Sequence, residues 1–284
     1  MAIDPDFLAT LDRFDASIDR RSSALQRGEQ RSTELGEGLV FSDHRQYVPG
    51  DDTRLIDWTV YARSDELYVR QFETERNLTV HVLLDRSESM AFADRSKFEF
   101  AAKVGLGYCY LFAAEHNEFR LSTFGARHER LDSGASTTGA LLPVIDRLNE
   151  VELRGQADVE AALSEYAGTI ASRSLVVIAS DCLLDPEAFE AGLAALSDHD
   201  VVVVHAVAPE ERSPPVDGET IFEGLETETS LRTYFSPRKQ RQYEDRLASH
   251  WDAVESATVA QGGEYVRVTT DEPFYEAFER AWIG

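Results

Sequence analysis

The spacing of apolar residues along the chain changes at about Leu78. Before that point, residues 6–30 carry apolar side chains at near-helical spacing, which predicts one amphipathic helix. A polar stretch through Gly38 and a loop-rich region ending near Arg76 are expected next. Beyond Leu78, short apolar runs alternate with segments of helical periodicity, so this part of the chain is predicted to form strands separated by helices.

The predicted strands include several that are almost continuously apolar, as is typical of parallel strands buried on both faces. Strands are predicted at Leu78–Asp85, Glu118–Phe124, Ser174–Asp181, Asp200–Val207 and Glu264–Thr269. Helices are predicted at Lys97–His116, Thr138–Leu148, Asp158–Ala171, Pro186–Leu196, Pro237–Ala260 and Pro273–Trp282. Two antiparallel pairings are also expected, of Arg127–Leu131 with the second strand and of Glu219–Phe222 with Ser230–Phe235.

This order of elements predicts an α/β protein with a doubly wound, mostly parallel sheet and right-handed crossovers. Residues 1–76 are interpreted as an amino-terminal helix followed by a loop-rich extension. Residues 77–284 are interpreted as the sheet domain, with a small antiparallel hairpin inserted near residues 209–236.

The charge balance narrows the classes of partner. The chain has 52 acidic residues against 28 lysines and arginines, a formal net charge of −24. Such a field repels phosphate backbones and anionic lipid, so we expect no nucleic-acid partner. The three lysines are Lys97, Lys103 and Lys239. An acidic, lysine-poor surface resembles that of proteins from salt-loving organisms and favours a halophilic, archaeal origin. An ordinary acidic cytosolic protein remains the alternative.

The sequence also bears on location and on the cysteines. It has no run of about 18 apolar residues, and its first residues lack the apolar core of a signal peptide. We therefore expect a cytoplasmic protein with no stable membrane insertion. Cys109 and Cys182 lie in separate apolar stretches without a CxxC pattern, which favours buried thiols over a disulfide or a metal site.

Two predicted strands end in aspartate, Asp85 and Asp181. Ligands of open α/β sheets bind at the loops that leave the carboxyl ends of the strands. After Asp85 the chain continues with Ser87 and Ser89, and alternate residues of an extended loop project to the same side. One carboxylate and two hydroxyls can therefore meet at one point, with Asp181 nearby. Such hard oxygen ligands suit Mg²⁺ or Mn²⁺.

The sequence DRSESM at residues 85–90 resembles the DxSxS metal-ion-dependent adhesion site of von Willebrand factor A domains, and Asp181 resembles the later aspartate of that site. Residues 45–58 read RQYVPGDDTRLIDW and are followed by Ala62 and Arg63. This stretch is similar to the signature of an uncharacterised von Willebrand factor A-like family, bacterial and archaeal, whose members are often encoded beside MoxR-type AAA ATPases.

The resemblance implies a sheet of von Willebrand factor A type. It also implies a non-enzymatic protein-interaction module that assists a MoxR-type ATPase in the assembly or maturation of a client complex. In such domains a partner's carboxylate completes the coordination of the cation. One position departs from the family, because Ala157 stands where a threonine normally supplies the next metal ligand. Binding of Mg²⁺ or Mn²⁺ is therefore predicted to depend on Asp85, Ser87, Ser89 and Asp181.

Other interpretations of the same residues stay open. Ser87 and Ser89 could cap the next helix, and Asp181 could cap its own loop. Arg54 and Asp57 could form an ion pair above a packed Trp58, or this segment could contact a partner directly. The chain lacks phosphate-loop, dinucleotide-binding and nucleophile-elbow motifs, which argues against an enzyme. A Mg²⁺-dependent hydrolase or phosphatase-like enzyme using Asp85 and Asp181, or a purely structural scaffold, is the alternative function.

Overall fold

The computed structural model describes residues 3–22, 39–48, 56–64, 66–74, 78–92, 96–216, 218–226 and 229–283. The chain divides into two compact units. One unit consists of Met1–Ser17 and Leu78–Gly284, and the other of Ile18–Asn77. The sequence interpretation placed all of residues 1–76 in one extension, whereas the first part of the amino-terminal helix belongs with the sheet unit. That helix, α1, spans Phe7–Ser22, and the rest of the predicted helix lies outside the described residues.

The smaller unit has regular structure where a loop-rich region was expected, so that expectation was wrong. Strand β1 (Leu39–Gln46) pairs antiparallel with β2 (Tyr68–Thr74), and a short helix, α2 (Trp58–Ser64), lies between them in sequence. The two strands are joined by a long connection and not by a tight turn. The sequence therefore carries no hairpin signal of the usual kind.

One interpretation of the sequence packed Trp58 beneath an Arg54–Asp57 ion pair, but the side chain of Trp58 is 59% exposed. Trp58 is the first residue of α2, where its ring contacts the exposed ring of Tyr61 edge-on, with the centroids 6.1 Å apart. Asp57 caps the same helix, because its carboxylate accepts the Val60 N–H at 3.2 Å. Arg54 lies outside the described residues, so the ion pair stays a prediction.

The larger unit is built on a six-stranded sheet. Its strands are β3 (Thr79–Asp85), β4 (Glu118–Phe124), β5 (His128–Arg130), β6 (Leu175–Ser180), β7 (Asp200–Val207) and β10 (Glu264–Thr269). The spatial order is β10-β7-β6-β3-β4-β5, and every pairing is parallel except that of β4 with β5. The predicted α/β fold with a doubly wound, mostly parallel sheet is confirmed. Because the order reverses beside β3, the loops that follow β3 and β6 lie next to each other at one edge.

Helices connect these strands. They are α3 (Lys97–Ala114), α4 (Leu141–Asn149), α5 (Val159–Ala167), α6 (Pro186–Ala194), α7 (Pro209–Arg212), α8 (Pro237–Ala260) and α9 (Phe274–Ile283). All of them except α7 lie near predicted positions. The antiparallel pair β8 (Gly218–Glu223) and β9 (Ser230–Phe235) lies between α7 and α8, as the sequence predicted.

Helix α3 lies in the centre of the core, and its first turn lies at the candidate site. Almost all of its residues are buried, because it packs on the sheet and against α9. Gly107 allows this approach, since a Cβ atom there would lie 2.5 Å from the ring of Phe278. Strands β3, β6 and β7 are buried along nearly their whole length, which explains their continuous apolar sequences.

Candidate functional site

Asp85 ends β3 and lies almost entirely out of solvent, with 1% of its surface exposed. One carboxylate oxygen, Oδ1, accepts the Ser87 N–H at 2.8 Å, which turns the chain away from the strand. The other, Oδ2, accepts the Ser180 hydroxyl at 2.6 Å. The same Ser180 oxygen accepts the Cys182 N–H at 2.9 Å. Ser180 therefore joins the ends of β3 and β6.

Ser87 and Ser89 are both buried, and their hydroxyl oxygens lie 3.1 Å apart. A short 3₁₀ turn, Glu88–Ala91, follows Ser87, whose side chain makes no capping hydrogen bond to it. The helix cap of α3 is instead Ser96, which accepts the Glu99 N–H. The capping interpretation of Ser87 was therefore wrong, and the two hydroxyls remain directed at each other beside Asp85.

Asp181 follows β6 and is also buried, with 2% of its surface exposed. Its Oδ1 accepts the Leu183 N–H at 3.1 Å, so the expected capping of its own loop is present. Its Oδ2 accepts a hydrogen bond from the Lys97 ammonium at 2.6 Å. Lys97 has no exposed surface and also contacts the carboxylate of Glu211 on α7. Asp181 is thus paired with an internal cation that it shares with Glu211.

The electrostatics of the site follow from this burial. Burial, and then the nearby charge of Asp181, raises the pKa of Asp85 to about 7, although hydrogen bonds from Ser180 and Ser87 oppose the rise. Burial likewise raises the pKa of Glu211, while the Lys97 ammonium acts against it. The pKa of the Cys182 thiol is raised by burial and by the charges of Asp181 and Asp85, so this cysteine stays protonated.

The four residues predicted from sequence are brought together, since Asp85, Ser87, Ser89 and Asp181 line one small cavity. The cavity is also lined by Gln156, Ala157, Leu183, Leu184 and Glu226. Carboxylate and hydroxyl oxygens are the type of ligand that Mg²⁺ and Mn²⁺ prefer. Within the described ranges, no group of three or more His, Cys, Asp or Glu side chains is arranged to hold a metal. Ala157 adds no side-chain oxygen, and Asp181 is shared with Lys97, so among the predicted ligands a cation would rely on Asp85 and the two serines.

One wall of the cavity is a segment that crosses the loop after β3. The Arg154 N–H donates to the Arg86 carbonyl at 3.1 Å, and the Glu88 N–H donates to the Gly155 carbonyl at 2.9 Å. Gly155 adopts a φ of 65°, a left-handed conformation that favours glycine. These two bonds fix residues 154–157 against the DxSxS loop and bring Gln156 and Ala157 to the cavity.

Sequence reasoning missed Lys97, Glu211 and Ser180. Lys97 stands 84 and 114 residues from its two carboxylate partners, so no local pattern connects them. One signal was available, because a lysine in the first turn of a helix opposes the helix dipole and a nearby acidic group would then be expected. Ser180 directly precedes Asp181 in a strand that was interpreted by its apolar residues alone.

Comparison with known proteins gives a family and distant relatives. Residues 43–252 match the model of a family described as protein of unknown function DUF58. A curated relative, "Uncharacterized protein Rv1480" of Mycobacterium tuberculosis, is 23% identical over 274 residues, which cover 94% of this chain and 86% of the relative. A relative from Mycobacterium bovis, "Uncharacterized protein Mb1516", matches to the same extent.

Solved structures give weaker matches. An aerotolerance-related membrane protein from Bacteroides fragilis is 16% identical, with a TM-score of 0.46, over 72% of this chain and 96% of that one. The SpRpn10 VWA domain is 12% identical, with a TM-score of 0.43, over 71% and 93%. In the described part of the present chain, no helix is long and apolar enough to cross a membrane.

Proposed function

This chain belongs to the DUF58 family, and we propose that it is a non-enzymatic protein-interaction module. We propose further that it is an accessory partner of a MoxR-type AAA ATPase, acting in the assembly or maturation of another protein complex. The convergence of Asp85, Ser87, Ser89 and Asp181 on one cavity at the carboxyl edge of the sheet carries this proposal. At that edge, an α/β sheet presents its loops to a ligand.

The proposed role includes a divalent cation, Mg²⁺ or Mn²⁺, held by Asp85, Ser87 and Ser89. When bound, the cation supplies a positive centre to which a carboxylate of the client protein can bind. The residues of this chain orient that centre. Ser180 fixes the carboxylate of Asp85, and residues 154–157 hold the DxSxS loop in place. Asp181, bonded to Lys97, contributes less negative charge than a free carboxylate would.

The proposed ATPase contact lies in the smaller unit. The exposed Trp58 belongs to the stretch that resembles the signature of the ATPase-associated family. Tyr61, three residues later, and Val48, ten residues earlier, are also exposed, at 38% and 54%. Large aromatic side chains at the surface are typical of interaction hot spots. The exposure of Trp58 therefore favours a role of this segment in partner contact over a role in core packing.

An affinity pull-down from native lysate at high salt tests the proposal. The wild-type chain should retain an AAA ATPase that mass spectrometry identifies as MoxR-type. Trp58→Ala should lose the ATPase, because an exposed tryptophan is a typical hot spot of a protein interface. The variant should still fold, because the removed side chain is largely exposed. Tyr234→Ala is the matched control, since Tyr234 is a comparably exposed aromatic on β9, at 65%.

The results have distinct meanings. Recovery of no ATPase by the wild-type chain, or equal recovery by the two aromatic variants, would contradict the proposed partner. Asp85→Ala should reduce capture of the client while the ATPase is still retained. Release of phosphate from a generic phosphate ester by the wild-type chain, but not by Asp85→Ala, would instead favour the hydrolase alternative.

A further inference from the structure

A second cavity, of about 380 Å³, opens beside the DxSxS loop. Four arginines line it: Arg86, Arg130, Arg147 and Arg154. They come from the loop after β3, from β5, from the last turn of α4 and from the segment before α5, so the fold assembles the group from four places. A cavity of this size is large enough for a small ligand or for a side chain of a partner protein.

The four guanidinium groups differ in how they are engaged. Arg130 binds the buried carboxylate of Asp132, with a shortest distance of 2.6 Å, and is committed to that contact. Arg86 contacts Glu129 at 2.9 Å, and Arg154 contacts the exposed Glu152 at 3.3 Å. Exposed pairs of this kind are weak and can exchange partners.

Arg147 is the most available of the four. It donates from Nη1 to the Leu131 carbonyl at 2.7 Å, and no acidic side chain among the described residues lies within 4.0 Å of its guanidinium. A guanidinium carries five N–H donors, so most of the hydrogen-bonding capacity of Arg147 faces the cavity or solvent. Its planar geometry matches a carboxylate, which can bind it through two oxygens at once.

The local charge separates two kinds of anion. Glu129, Glu150 and Glu152 also line the cavity, so its four arginines exceed its glutamates by one positive charge. The whole chain carries −24. A polyanion such as a nucleic acid would be repelled along its whole length by the negative charge of the chain. A single carboxylate needs one positive contact, which the cavity offers.

The geometry points to a carboxylate-binding pocket in which Arg147 and Arg86 receive an acidic group of a partner protein. Arg86 directly follows Asp85, and the bond from the Arg154 N–H to the Arg86 carbonyl lies between the two cavities. This inference rests on the proposed interaction function, because it places a second anchoring point beside the cation cavity. An acidic segment of the client could then contact both cavities.

The test uses the full chain and a fluorescent peptide with two adjacent glutamates and both ends blocked. Binding is followed by anisotropy in about 0.15 M KCl, where screening still permits short-range contacts. The wild-type chain should bind this peptide and not its glutamine counterpart. Arg147→Gln should raise the Kd by about ten-fold or more, as for the loss of one charged hydrogen bond. Arg241→Gln is the matched control, because Arg241 is also an exposed helix arginine that donates to a backbone carbonyl, at 3.2 Å.

Two further probes identify the anion. A neutral peptide with a free carboxyl terminus that binds better than the blocked glutamate peptide would assign the pocket to a chain terminus. Inorganic phosphate that binds where neither peptide does would overturn the carboxylate assignment. Equal affinity of Arg147→Gln and Arg241→Gln would also overturn it.

If Arg147→Gln loses the peptide while the pull-down recovers no partner, the pocket stands and the proposed function fails. If Arg147→Gln recovers every partner as the wild type does, the proposed function stands and the role of the pocket in partner binding fails.

Discussion

Asp85 and Asp181 occupy equivalent places in the sheet, each at the end of a buried parallel strand, yet their carboxylates are stabilised differently. Asp85 is held by neutral donors, the Ser87 N–H and the Ser180 hydroxyl. Asp181 is held by one N–H and by the ammonium of Lys97. Neutral donors orient a carboxylate without cancelling its charge, whereas an ammonium does both. The site therefore has one carboxylate, Asp181, paired with an internal cation, and one, Asp85, that an external cation could pair with.

The strongest test of this comparison removes the internal cation. Lys97→Met should lower the free energy of unfolding by about 3–5 kcal/mol, because it leaves the buried Asp181 and Glu211 without a counter-charge. Urea denaturation measures the change. Lys103→Met is a control on the same helix, since Lys103 pairs with Glu99 near the surface and should cost less than about 1 kcal/mol. An equal decrease in the free energy of unfolding in the two variants would show that the buried Lys97 pairs stabilise the fold no more than a surface pair does.

The second test uses pH and Asp85→Asn. The pKa of Asp85 is about 7 in the folded chain against an ordinary value of 3.8, because burial and the charge of Asp181 disfavour the anion. The folded protein therefore binds a proton that the unfolded chain releases between these values. The stability of the wild type relative to Asp85→Asn should rise as pH falls from about 7 to 4, by at most about 1.4 kcal/mol per pH unit.

Measuring the difference between the two proteins removes an opposing effect. Burial lowers the pKa of His81 to about 4 and that of His205 to about 3. Both histidines stay neutral in the folded chain and destabilise it as pH falls below about 6.5, in wild type and variant alike. Parallel stability curves for wild type and Asp85→Asn would contradict the raised pKa.

The smallest expected effect is that of the cation itself. Mg²⁺ or Mn²⁺ at five times its Kd should stabilise the wild type by about 1 kcal/mol through mass action. Asp85→Ala should abolish the increment, and Lys97→Met should enlarge it because Asp181 becomes free to bind. Thermal melting at constant ionic strength gives the measurement. A wild-type curve that does not respond to millimolar cation would leave the loop as a scaffold.

The sheet unit could be predicted from sequence because its strands are short apolar runs separated by helical periodicity. The segment Glu118–Phe124 was predicted with the bounds that the structure gives, as were Asp200–Val207 and Glu264–Thr269. Strands β1 and β2 escaped prediction because their pairing is not signalled by a tight turn. The local hydrophobic pattern predicts strands well where each strand is buried on both faces. It predicts them less well where the pairing depends on residues distant in sequence.

The site shows the same division. Asp85, Ser87 and Ser89 lie within five residues, so their convergence could be inferred from loop geometry, and Asp181 from the shared edge of the sheet. Lys97 and the arginine pocket could not be inferred in this way. Each is made of side chains from several segments whose proximity exists only after the sheet has formed.

The cluster of Lys97, Asp181 and Glu211 has a consequence for the order of folding events. Its members are separated by 84 and 114 residues, and they meet only after β3, β6 and β7 lie side by side. Closing such long loops is slow, so contacts of this range form late on the folding path. Interactions absent from the transition state govern the rate of unfolding and leave the rate of folding nearly unchanged. We therefore expect that Lys97 affects mainly the rate of unfolding, and so how long the folded site persists once it has formed.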